Sequence, residues 1–299
     1  MAKTKKPRKA RFAAENFLVL TYGLGLALAG LAYWLEINLH SMLGFVLSTL
    51  YIFLPAGVVL VIYNQRILEF LDLALHPNRW MLVSLLFPLA LAALSFYATL
   101  QFTPTELSWG MEDMLSRMAA AHPNQPPPSL PGEGLHPFWQ AVIQSLIFGC
   151  TLNAFFGMGE ELGWRGLLLR EWLPLGFWQA NLRIGLAWGL WLVPLELLGR
   201  NYPEQPAWGA ALTVAWCVLL SPLIAFVRLQ AKSVAAAALF RGMLLAFAGT
   251  STLLIQGGGE LTSGLLGWPS LLVFLLFDLS LVLYLANFPL ERETNPVKY

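Results

Sequence analysis

Eight apolar runs, each close to the roughly 20 residues a helix needs to cross the hydrocarbon core of a bilayer, occupy most of this 299-residue chain. They fall at 17–35, 42–63, 80–101, 137–158, 178–198, 208–227, 233–254 and 266–288, with Pro, Gly, Asn and charged residues collected between them. Backbone in lipid must satisfy its hydrogen bonds internally, which leaves helices as the natural solution for runs of this length. The expected fold is therefore all-α: a polytopic membrane protein of about eight transmembrane helices. Composition agrees, since 57% of the residues are apolar and only 12% are charged, against about 25% charged in soluble domains. These values exclude a soluble enzyme and a disordered chain. They also exclude a nucleic-acid binder with a basic face, so no nucleic-acid partner is expected.

The few charges give an orientation. With the N-terminus inside, fifteen of the eighteen Lys and Arg residues fall on inner segments, and only Arg117 and Arg200 fall outside. Short cytoplasmic loops carry the positive excess, so both termini are expected in the cytoplasm of a multi-pass cell-membrane protein. The run from residue 17 continues through Leu35, longer than the roughly 7–15-residue apolar core of a signal peptide, and reads as an uncleaved first span.

On this reading, residues 1–16 are a basic cytoplasmic tail that meets anionic membrane lipids. Residues 17–101 hold the first three spans, with an inner amphipathic segment at 64–79. Residues 102–136 form an outer Pro-rich loop, 137–288 a core of five spans and 289–299 a cytoplasmic tail. Cys150 and Cys217 lie in apolar runs without CxxC spacing, and His40, His76, His122 and His136 lie in or beside connecting segments without an HExxH pattern. No metal site and no cofactor are expected.

One stretch is chemically dense: Gly159-Glu160-Glu161-Leu162-Gly163-Trp164-Arg165-Gly166, at the inner end of the fourth run. Two carboxylates and a guanidinium are costly near hydrocarbon unless paired or functional. Helical spacing puts Glu161 and Arg165 on one face at i,i+4 and turns Glu160 about 100° away. By charge pattern the stretch is either an interfacial salt bridge that anchors a helix end or a carboxylate pair able to take a proton from water.

The string EELGWRG resembles the first motif, EExxxR, of the CPBP family of type II CAAX prenyl endopeptidases and their bacteriocin-processing or immunity-associated relatives. Trp188 to Leu195 (WGLWLVPL) resembles the second motif region, WGLWHLPL, and Ser233 to Leu245 (SVAAAALFRGMLL) is similar in register to the third. The resemblance covers about residues 137–288. It implies that Glu160 activates a water while Glu161 and Arg165 support it, and that the substrate is a lipid-modified or transmembrane peptide. It also implies two motif histidines and an Asn, but those positions hold Leu192, Arg241 and Leu245 here. A leucine supplies neither a proton nor a hydrogen bond, and Arg241 can donate but cannot exchange a proton.

Arg241 lies about 13 Å deep at 1.5 Å per residue, and Asp278 lies at comparable depth in the last run. An Arg241–Asp278 ion pair between neighbouring helices is the expected resting arrangement. Glu196, one turn beyond Leu192, is expected to be too far toward the outer side to act with Glu160. Gln144, Asn153 and Asn181 are candidates to line an inner cavity or to bond between helices. Three functions follow: a glutamate-dependent intramembrane endopeptidase, an impaired pseudoprotease that binds a membrane peptide, lipid or partner protein, and a small transporter. No inverted repeat supports the last.

Overall fold

A computed structural model describes residues 13–63, 78–121, 130 and 134–290. Residues 1–12 of the basic tail, nearly all of the segment expected to be amphipathic, residues 122–129 and 131–133 of the Pro-rich loop and residues 291–299 of the C-terminal tail lie outside the described residues. About 80% of the structure is helical. The helices are α1 (Ala13–Trp34), α2 (Met42–Tyr63), α3 (Arg79–Phe102), α4 (Glu112–Ala121), α5 (Pro137–Cys150), α6 (Leu152–Glu161), α7 (Leu169–Trp172), α8 (Phe177–Leu197), α9 (Pro206–Ala231), α10 (Val234–Thr250) and α11 (Pro269–Asn287). A π-helical turn, Leu162–Leu168, joins α6 to α7. Two short strands, β1 (Glu106–Leu107) and β2 (Ile255–Gln256), pair antiparallel and tie the loop after α3 to the loop after α10.

Each expected run is helical, the 137–158 run as two helices, and by length and composition fewer than eight of the described helices qualify as spans. Among the described residues α1, α2, α3, α9 and α11 are long and apolar enough to cross a membrane, and α5 with the segment after it makes a sixth if the pair is one span bent by 45°. The break is at Thr151, between α5 and α6. Two runs account for the rest of the difference. α10 has only 17 residues, and α8 carries Asn181, Arg183 and Glu196 within its 21.

Local chemistry sets the helix starts. Asn78 caps α3 by accepting from the Trp80 and Met81 N–H groups at 2.9 and 3.3 Å, and Ser233 caps α10 by accepting from the Ala235 N–H at 3.2 Å. Each cap satisfies a donor that the helix leaves orphaned. Lys232, in the left-handed region at φ 55°, ends α9 and turns the chain directly into α10.

Glycines set the tightest packing, since small residues let membrane helices approach closely. A Cβ on Gly185 or Gly189 would come within 2.6 and 2.7 Å of the α9 backbone at Val218 and Val214. One on Gly242 would meet the α6 backbone at Ala154, and one on Gly157 the α10 carbonyl of Ala238 at 2.6 Å. α6, α8, α9 and α10 thus form a close-packed centre. α1 and α2 cover one side of it, while α3 and α11 cover the other.

Candidate functional site

The dense motif sits where α6 passes into the π-helical turn. Glu160 and Glu161 end α6, Arg165 lies within the turn, and all three side chains are buried. Insertions of π-helix inside α-helices often mark functional sites. The motif glycines admit α1 and α2, because a Cβ on Gly163 would stand 2.5 Å from Phe17 and 2.7 Å from Pro55. Trp164 fills the space beside them, edge-on to Phe17 and Trp191 at 5.5 and 5.6 Å.

The two glutamates have different partners, as their angular separation on a helix implies. Arg165 donates from Nη1 to Glu161 Oε1 at 3.0 Å, the pair expected from the spacing. Glu160 turns toward α8 and α10. Its Oε2 accepts from the Trp188 indole N–H at 2.6 Å, and its Oε1 faces Arg241 Nη2 at 3.3 Å. Both guanidiniums lie against the Trp188 ring, with Cζ of Arg165 at 4.6 Å and of Arg241 at 4.9 Å from its centroid, and Arg241 also lies 5.5 Å from the Trp216 ring. Indole is the best aromatic partner for a cation–π contact, and arginine is the cation found there more often.

The expected Arg241–Asp278 pair is therefore corrected: Arg241 is bound to Glu160, and Oδ1 of Asp278 has no hydrogen-bond partner among the described residues. The reason is helix adjacency. α10 packs on α3, α5, α6 and α9, whereas α11 packs on α3 and α9. Equal depth in the membrane did not make the two helices neighbours.

The other polar candidates disperse. Glu196 is buried and accepts from the Asn201 backbone and side chain at 3.2 and 2.7 Å, which fixes the loop after α8 and keeps it out of the centre. Asn181 donates to the Phe177 carbonyl and accepts from Ser221, an interhelical bond between α8 and α9. Gln144 is exposed and Asn153 half-buried, so neither is enclosed in the centre. Leu192 is buried one turn beyond Trp188, and Leu245 is half-buried one turn beyond Arg241. The described histidines lie on loops: His40 contacts the Gly199 carbonyl and His136 the Trp109 carbonyl.

Trp188 belongs to the second motif region and carries no charge to mark it in the sequence, yet this residue joins Glu160, Arg165 and Arg241. The available signal was its place one helical turn before Leu192. The centre is also short of acceptors. Arg165 Nε and Nη2, Arg241 Nε and Nη1, and the Trp164 and Trp191 indole N–H groups are buried without a partner among the described residues, as is the single acceptor Glu161 Oε2. Each unmet buried group costs about 1–3 kcal/mol. Beside the centre, along the α6–α10 contact, runs an apolar groove of about 510 Å³ lined by residues including Met81, Leu85, Ala154, Met158, Ala238 and Leu239.

No curated protein matches the chain. Residues 142–247, which contain α6, the π-helical turn, α8 and Arg241, match the sequence model of the family described as Type II CAAX prenyl endopeptidase Rce1-like. Over these residues the chain is similar to the Rce1-like type II CAAX prenyl endopeptidases, a likeness consistent with the CPBP family.

Proposed function

We propose that the chain is a CAAX-protease-like membrane protein in which peptide hydrolysis is silenced, leaving a scaffold that holds a membrane peptide or partner. The observation that carries this reading is Arg241 Nη2 at 3.3 Å from Glu160 Oε1, with the Trp188 N–H on the other oxygen. A base that activates water needs an oxygen lone pair aimed at that water. Here a guanidinium and an indole N–H lie on those oxygens, and both groups come from the second and third motif regions.

The rest of the machinery fits the same reading. Peptide hydrolysis needs donors for the developing oxyanion, and losing one typically costs about 10²–10³ in rate. Leu192 and Leu245 supply none, and no other histidine takes their place among the described residues. The apolar groove along α6 and α10 suits the side chains of a membrane peptide or a lipid-modified segment. By the distribution of positive charge, this end of the fold faces the cytoplasm.

Glutamate-activated hydrolysis is the competing reading, and the intact Glu160, Glu161 and Arg165 favour it. Purified native protein and its Glu160→Gln variant, incubated with membrane peptides and scored by mass spectrometry, separate the two. Silencing predicts identical, background cleavage by both. Cleavage by the native chain that disappears in Glu160→Gln contradicts it.

A further inference from the structure

We infer that the apolar groove between α3 and α6 seats one acyl chain of an anionic phospholipid, whose headgroup is held at the groove's mouth by Arg79 and Lys232. The inference is independent of whether Glu160 cuts or is silenced, because neither cation belongs to the Glu160 centre.

The groove follows from which helices touch. α3 and α6 both pack on α10 but not closely on each other, which leaves a cleft between them over α10. The contact of α6 with α10 is itself tight, since a Cβ on Gly157 would stand 2.6 Å from the Ala238 carbonyl. Ala154, Ala235 and Ala238 line the cleft with small side chains, and Met81 and Met158 line it from α3 and α6. Unbranched thioethers adapt to an irregular apolar guest. From Cys150 to Leu162 the groove runs about 18 Å at 1.5 Å per residue, close to one leaflet of a roughly 30 Å hydrocarbon core. That is the depth of an acyl chain, and a spanning helix would need nearly twice the length. A lipid seated here must leave before a membrane peptide can enter the same groove.

Two cations mark the mouth. Met81 and Ala235 put one end of the groove within a turn of the starts of α3 and α10. At that end the Asn78 side chain donates to the Ala231 carbonyl at 3.2 Å. The residues that follow these two, Arg79 and Lys232, are thereby held at the same end of the groove, and both are exposed. Lys232 also stands against its own backbone. It ends α9 at φ 55°, a left-handed position where helices usually take Gly or Asn and where a longer side chain is strained. Lysine there supplies a cation at a conformational cost that glycine would avoid. Lys and Arg at the membrane surface attract anionic headgroups.

The test uses the full-length protein in lipid nanodiscs that contain phosphatidylglycerol or phosphatidylcholine carrying a photoreactive diazirine on one acyl chain. Crosslinks are mapped by mass spectrometry. Phosphatidylglycerol is expected to label residues 150–162 and 235–239 at least about fivefold more than phosphatidylcholine, the preference that one surface cation confers. Lys232→Gly with Arg79→Gln should remove that preference and leave the melting temperature undiminished, because glycine relieves the left-handed backbone. Leu239→Trp fills the groove and should reduce its labelling by both lipids. The native comparison decides even where a variant fails to fold. Labelling spread evenly over α1, α11 and the groove, equal labelling of the groove by the two lipids, or an undiminished preference in the double variant would overturn the assignment. Glu160→Gln should leave the labelling unchanged, and Glu160-dependent cleavage of a peptide would overturn the silenced reading alone.

Discussion

The indole N–H of Trp188 donates to Glu160 Oε2 at 2.6 Å, linking α8 to the end of α6 across 28 residues of sequence. The same ring carries the Arg165 and Arg241 guanidiniums. Trp188→Phe keeps an aromatic face for both cations and removes only the donor, so it should destabilise the protein by about 1–3 kcal/mol. Trp188→Ala also removes the ring and should cost about 3–5 kcal/mol. Denaturant titration in a mild detergent measures both; an unchanged stability in Trp188→Phe would show that the hydrogen bond contributes nothing of its own, and equal losses in the two variants that the ring contributes nothing beyond it.

Removing one member of a buried ion pair strands the other. Arg241→Met should cost about 3–5 kcal/mol, whereas Arg241→Met with Glu160→Gln should recover most of that loss. Arg241→Met and Asp278→Asn should be additive within about 0.5 kcal/mol, as unpaired sites are. A double-mutant cycle by thermal unfolding reads both couplings. Coupling of Arg241 to Asp278 rather than to Glu160 would contradict the Arg241–Glu160 pair.

Close helix contacts predict opposite signs for two glycines of one helix. In Gly242→Ala the new methyl would meet Ala154 N at 2.4 Å, and overpacking of this kind costs about 1–3 kcal/mol. In Gly249→Ala, near the end of α10, the methyl meets nothing within 4 Å. That change should be neutral or stabilising by up to about 1 kcal/mol, the advantage of Ala over Gly in a helix. Melting temperatures of the two variants should move apart, and a common shift would contradict the packing described for α6 and α10.

Run lengths made the helices legible, and the acid-first spacing of Glu161 and Arg165 made their pair legible. The faces of the helices were less so. Depth along a run located Arg241 and Asp278 at one level, but which helices touch is decided by glycines such as Gly157 and Gly242, whose role depends on the partner backbone. The break at Thr151 divides a run that reads as continuous, because its flanking residues are apolar on both sides. Trp188 was hidden by its abundance class: with twelve tryptophans in the chain, most serve as interfacial or core packing, and only the fold distinguishes the one bonded to Glu160.

The central claim is that the residues at the second- and third-motif positions, with Arg241 on Glu160, silence the centre. It is tested most directly by comparing peptide cleavage by the native chain with cleavage by the combined variant Leu192→His, Arg241→His, Leu245→Asn, each with and without Glu160→Gln. The account predicts no Glu160-dependent cleavage by the native chain and measurable Glu160-dependent cleavage by the combined variant. Glu160-dependent cleavage by the native chain would contradict it.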